Sequence, residues 1–152
     1  MTQRIYSHIE DWIQHLGVVN ESLNGHSVCP YAKKAVWNLV ICDESILENC
    51  FRFVEEKHIK KDVTIFMFNN DFSISQLNQL CELLNKEHPS YVFLPDHRER
   101  KTYIDKVKTN NGKYNFVLGQ KRKELEEARD NLRKTDYYSY WNKEYLKEIL
   151  NT

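Results

Sequence analysis

The sequence predicts an α/β chain of the α+β, two-layer kind: a small sheet of three to four strands, helices packed on it, and two further helices at the C-terminus. Three observations carry this. Val63-Thr64-Ile65-Phe66-Met67-Phe68 is an unbroken apolar, β-branched and aromatic run, the pattern of a strand buried on both faces. Segments of helical period alternate with such runs, the order expected of βαβ crossovers. Ser73-x-x-Gln76 is a capping box that opens a helix just after the run. A chain of 152 residues fits one domain, with an α/β core over 1–119 and a helical pair over 120–152.

The elements follow in order. Ile5, Ile9, Trp12, Ile13 and Leu16 share one face of a helix over 3–16, and Gly17 stands where a C′ glycine ends it. Residues 18–28 form a loop that turns at Asn24-Gly25. Pro30 opens a short helical turn to about Ala35. Residues 36–42 fit two patterns, because Val28, Ala32, Ala35, Val36, Leu39 and Val40 also line one face of a longer helix. Their β-branched and aromatic content decides for a strand. Asp43 caps a helix over about 44–58, with Ile46, Leu47, Cys50, Phe53 and Val54 inward.

The 63–68 strand is central, and Asn69-Asn70-Asp71 turns the chain after it. The capped helix runs to about Lys86, with Ile74, Leu77, Leu80, Cys81 and Leu84 inward. Tyr91 to Leu94 is a third strand fenced by Pro89 and Pro95. Residues 95–112 are polar and irregular up to the Asn111-Gly112 turn, and a loop of ~18 residues is often functional. Tyr114 to Leu118 is a fourth strand or an extended segment. Residues 120–134 form a charged helix with a narrow stripe of Leu125, Ala128 and Leu132, and an Asp130–Lys134 pair. Tyr138, Trp141, Tyr145, Leu146 and Ile149 give a last helix, over 137–150, an aromatic face.

Composition excludes several classes. Lys plus Arg is 22 and Asp plus Glu is 22, a zero net charge that argues against general nucleic-acid binding and against an acidic membrane surface. No apolar run approaches the ~20 residues of a membrane span. Residues 1–16 do not read as a signal peptide, so a cytoplasmic location with reduced cysteines is expected. Cys29, Cys42, Cys50 and Cys81 include no Cys-x-x-Cys pair and have no histidine at zinc-finger spacing. Cys42, Cys50 and Cys81 fall on apolar faces and read as core. There is no Gly-rich phosphate loop, no Gly-x-Ser-x-Gly elbow and no His-Glu-x-x-His, and the identity of any cofactor is left open.

One stretch concentrates chemistry: His26-Ser27-Val28-Cys29-Pro30-Tyr31-Ala32-Lys33-Lys34. A thiol at a helix N-terminus faces the positive end of the dipole, which lowers its pKa. Lys33 and Lys34 add positive field, and His26 is close enough to serve as base. A second cluster is Pro95-Asp96-His97-Arg98-Glu99-Arg100-Lys101, in which Asp96 could orient His97, and Arg98 and Arg100 could hold an anion. It follows the third strand, at the sheet end where ligands collect. The candidates are therefore Cys29, His26 and His97 for chemistry, and Lys33, Lys34, Arg98 and Arg100 for substrate. His8, His15, His58 and His88 read as surface or capping residues.

Cys29-Pro30-Tyr31 is similar to the start of the glutaredoxin Cys-Pro-Tyr-Cys motif. Ala32 occupies the resolving position, so the likeness implies a monothiol mechanism with Cys29 as the attacking thiol. Across residues 9–95 the chain resembles an uncharacterised bacterial and phage family with a Trp-bearing helix before a Cys-Pro-Phe-Ala segment and a later apolar strand followed by Asp-Phe. The matching residues are Trp12, Cys29 to Ala32, Val63 to Phe68, and Asp71-Phe72. That resemblance points to the cysteine site and implies no particular reaction.

The leading expectation is a small cytosolic enzyme using Cys29 for thiol redox or covalent chemistry on a small molecule. The alternative is a non-catalytic binding protein that meets a protein partner through its aromatic C-terminal helix. A second alternative is a metal-dependent enzyme drawing on Cys29, His26, His97 and Asp96.

Overall fold

A computed structural model describes residues 2–42, 52–54, 59–68 and 71–152. Its elements are α1 (Thr2–Leu16), β1 (Trp37–Ile41), β2 (Val63–Phe68), α2 (Ile74–Glu87), β3 (Tyr91–Asp96), β4 (Tyr103–Ile104), β5 (Val107–Lys108), β6 (Asn115–Lys121), α3 (Arg122–Arg133) and α4 (Lys143–Leu150), with 3-10 turns at Glu21–Leu23, Ala32–Lys34 and Tyr137–Tyr140. Most of the helix expected over 44–58, with its Asp43 cap, Cys50 and His58, lies outside the described residues. Residues 52–54 are helical, with Val54 buried.

The expected α+β class holds. Four strands form a mixed sheet in the order β1-β2-β6-β3. β1 and β2 are parallel, and β6 runs antiparallel between β2 and β3. The strand expected over 36–42 forms as β1, one residue shorter at each end, and β2 is interior as its two-faced apolar pattern requires. Phe66 and Phe68 face α2 together with Phe93, Val117, Leu77, Leu80 and Leu84. Ile65, Val63 and Met67 face the other way, toward Ile5 and Ile9 of α1 and Phe116 of β6. No described helix is long and apolar enough to cross a membrane.

Several boundaries shift for identifiable reasons. The Ser73–Gln76 capping box is formed in both directions, and α2 runs one residue past Lys86. β3 continues through Pro95, where a proline is tolerated because β3 is an edge strand. Asn85 covers that edge: its Nδ2 donates to the Phe93 carbonyl at 3.0 Å, and Phe93 N–H donates to its Oδ1 at 2.7 Å. The 95–112 segment is not wholly irregular, since a short β4–β5 hairpin turns at Asp105, φ 54°. The expected 137–150 helix divides into a 3-10 turn and α4. Asn142 makes the break, its Oδ1 accepting from the N–H groups of Glu144 and Tyr145 as an N-cap.

Gly17 does not take a left-handed C′ conformation. A Cβ there would fall 2.6 Å from Lys33 Cγ, so glycine serves the close approach of the Lys33 stem to the end of α1. The same helix end anchors the cysteine segment, because the Leu16 carbonyl accepts the Cys29 N–H at 2.9 Å.

Candidate functional site

The Asn24-Gly25 turn, with both residues at positive φ, closes the 20–26 loop on itself and delivers Ser27 and Val28 to the interior. Cys29 and Pro30 then enter the single turn Ala32–Lys34. One 3-10 turn carries little dipole, so the electrostatic premise for a lowered thiol pKa is weak. Burial decides the direction: it raises the Cys29 pKa, while the N–H groups of Tyr31 and Ala32 pull it down less strongly. The expected low-pKa thiolate is therefore corrected to a half-buried thiol above its ordinary pKa. Cys42 and Cys81 are buried core residues.

Cys29 opens onto a cavity of about 540 Å³. Its floor is the α1 face of the sheet, including Trp37, Ile65 and Leu118. One wall is Trp12, Ile13 and Leu16 with the Cys29 segment, and the other is α3 with the 137–149 segment. Leu125, Ala128 and Leu132, the expected inward stripe of α3, are each only half-buried because they face this space. The aromatic face of the C-terminal segment also turns inward. Tyr137 is buried and its hydroxyl donates to the Val28 carbonyl, while Trp141 and Tyr145 stack with centroids 5.3 Å apart. Burial raises the Tyr137 pKa, and Cys29 lies near enough to add to that shift.

The sequence-derived candidates divide. Cys29, Lys34 and Arg100 line the cavity, while Lys33, Arg98, His26 and His97 are not among its lining residues. The His26 Nε2 lies 2.6 Å from Asp136 Oδ1, and Asn24 Nδ2 donates to the other oxygen of Asp136 at 2.8 Å. That pair ties the loop before Cys29 to the C-terminal segment, and the His26 hydrogen bond lowers the Asp136 pKa. Nothing in a linear reading joins residues 110 positions apart. His97 is 3% exposed, with both ring nitrogens engaged by backbone. Its Nδ1 accepts from Glu99 N–H at 3.0 Å, and its Nε2 donates to the Phe72 carbonyl at 2.5 Å. It anchors the strand end to the turn before α2, and does not fold over Cys29. Arg98 lies beside Glu99 at 3.7 Å and gives its backbone N–H to Asn115 Oδ1.

Asp96, by contrast, reaches the cavity. The residue is 4% exposed, and its carboxylate accepts from Asn110 Nδ2, Asn111 N and Asn111 Nδ2 at 2.6–3.0 Å. Burial pushes its pKa up, and these donors and Arg100 oppose the shift. Among the described residues no three His, Cys, Asp or Glu side chains gather to hold a metal, so the Cys29–His26–His97–Asp96 ligand set does not form. His8 and His15 take docking roles: His8 Nδ1 meets the Tyr114 hydroxyl at 2.7 Å and His15 Nε2 meets the Lys108 carbonyl at 2.8 Å. Compared with protein-family models, curated proteins and solved structures, the chain matches none.

Proposed function

We propose that the chain binds a small organic molecule with a largely apolar body in the cavity between the sheet and its C-terminal segment. The carrying observation is that two apolar surfaces, the α1-side sheet face and the α3 stripe, line one cavity of about 540 Å³. Folded cores close such gaps, and ligand sites of about 300–1,000 Å³ keep them. The inward aromatics favour this reading over a protein-docking helix, whose rings would stand exposed. Thiol chemistry on the bound molecule is a second reading, favoured by the place of Cys29 in the cavity lining.

The test uses N-phenylnaphthylamine, an uncharged fluorophore that brightens in apolar surroundings. Saturable binding to the wild type, clearly weakened in a folded Ala128→Trp variant whose larger side chain takes up part of the cavity, is the expected result. Equal fluorescence in both proteins overturns the reading.

A further inference from the structure

The charged groups around this cavity are nearly all committed to partners within the chain. Asp62 accepts the Val36 N–H at 2.8 Å. Asp96 holds its three donors, and Arg100 pairs with Glu148. Lys121 lies 3.8 Å from Glu124, and Arg129 gives its guanidinium to Glu126 and the Ile149 carbonyl. Lys34 differs. It lines the cavity and is solvent-exposed, so it stands at the rim, and among the described residues its ammonium has no ion pair or hydrogen bond. Its backbone is fixed by the 3-10 turn, whose N–H groups bond back to Tyr31 and Ala32.

We infer that the ligand of this cavity is a single-headed organic anion, its apolar body in the trench and its singly charged carboxylate or sulfonate at Lys34. The inference rests on the binding reading above. A neutral ligand would leave the one uncommitted cation among the described lining residues without a counter-charge, and a cationic ligand would be repelled by it. A divalent or strongly charged ligand would need further free cations, which the described lining does not offer. The apolar body supplies most of the affinity and the rim contact selects the sign of the head.

Anilinonaphthalene sulfonate and N-phenylnaphthylamine differ only by the sulfonate, so the pair isolates the head. The sulfonate should bind more tightly to the wild type. Lys34→Ala should weaken it about two- to fivefold, the range of an exposed ion pair, and leave the neutral probe unchanged. Lys34→Glu should weaken the sulfonate further, and added salt should erase the difference. Displacement of the probe by a saturated fatty carboxylate assigns an acyl ligand, and displacement only by a fused-ring carboxylate assigns an aromatic one. Equal binding of both probes with no effect of Lys34→Ala overturns this inference while the binding reading stands. Failure of both probes to bind overturns the binding reading itself.

Discussion

The two faces of one sheet are finished differently, although the same four strands build both. On the α2 face Phe66, Phe93, Val117, Leu77 and Leu84 are fully buried, and Phe53 meets Phe66 edge-on at 5.6 Å. On the other face Ile65 and Phe116 are buried beside α1, while Val63, Leu94 and Leu118 stay half-buried in the wall of a cavity that the α3 stripe also lines. Alternate residues of a single strand thus lie in a closed core and in the wall of an open cavity. The second face is closed only beside α1, over Ile65 and Phe116, and the part that shares the cavity with the α3–α4 pair stays open.

That contrast breaks first at the closed face. Phe93→Ala should cost about 3–5 kcal/mol, because its neighbours cannot collapse into the void. Leu118→Ala on the open face should cost about 1 kcal/mol, since much of its surface meets the cavity already. Chemical denaturation of the two variants measures the difference; equal losses would mean that the faces are equally packed.

Added volume sharpens the same comparison. Gly119 sits on the closed side, where a Cβ would lie 2.8 Å from Ile59 Cδ1 and 3.1 Å from Phe66 Cε2. Gly119→Ala should therefore destabilise by about 1–3 kcal/mol through overpacking. Ala128→Leu enlarges a side chain that faces the cavity, and its effect should stay within about 0.5 kcal/mol because leucine is nearly as good a helix former as alanine. Thermal unfolding of both variants decides between the faces directly.

The smallest effect concerns Cys29 at the cavity wall. Its pKa is raised by burial above the ordinary 9.0, so the folded chain keeps a proton that the unfolded chain has released. Stability from this group is thus lost as pH climbs from 9.0 toward the folded value, and Cys29→Ala should flatten that part of the profile. Alkylation near neutral pH should be slower in the native chain than in the unfolded one. Faster labelling of the native thiol would restore a lowered-pKa nucleophile.

Local pattern made much of the fold legible. The apolar run of β2 marked an interior strand, the Ser73–Gln76 box placed the start of α2, and the Asn24-Gly25 and Asn111-Gly112 turns hold with glycines at φ 82° and 76°. These features arise from neighbours within about four residues, where side-chain period and turn chemistry act. The break at Asn142 was hidden because the aromatic spacing around it also fits a continuous helix.

The sequence by itself determined which residues stand out: a cysteine before a proline, two lysines after it, and a narrow apolar stripe on a charged helix. Tertiary structure decided what those residues are. It raised the thiol's pKa, because one 3-10 turn cannot offset the loss of water around the sulfur. It joined His26 to Asp136 and His97 to Phe72 and Glu99, contacts that depend on which strand ends meet. It also brought the α3 stripe, the sheet face and Lys34 to one cavity, and no local periodicity encodes which faces meet.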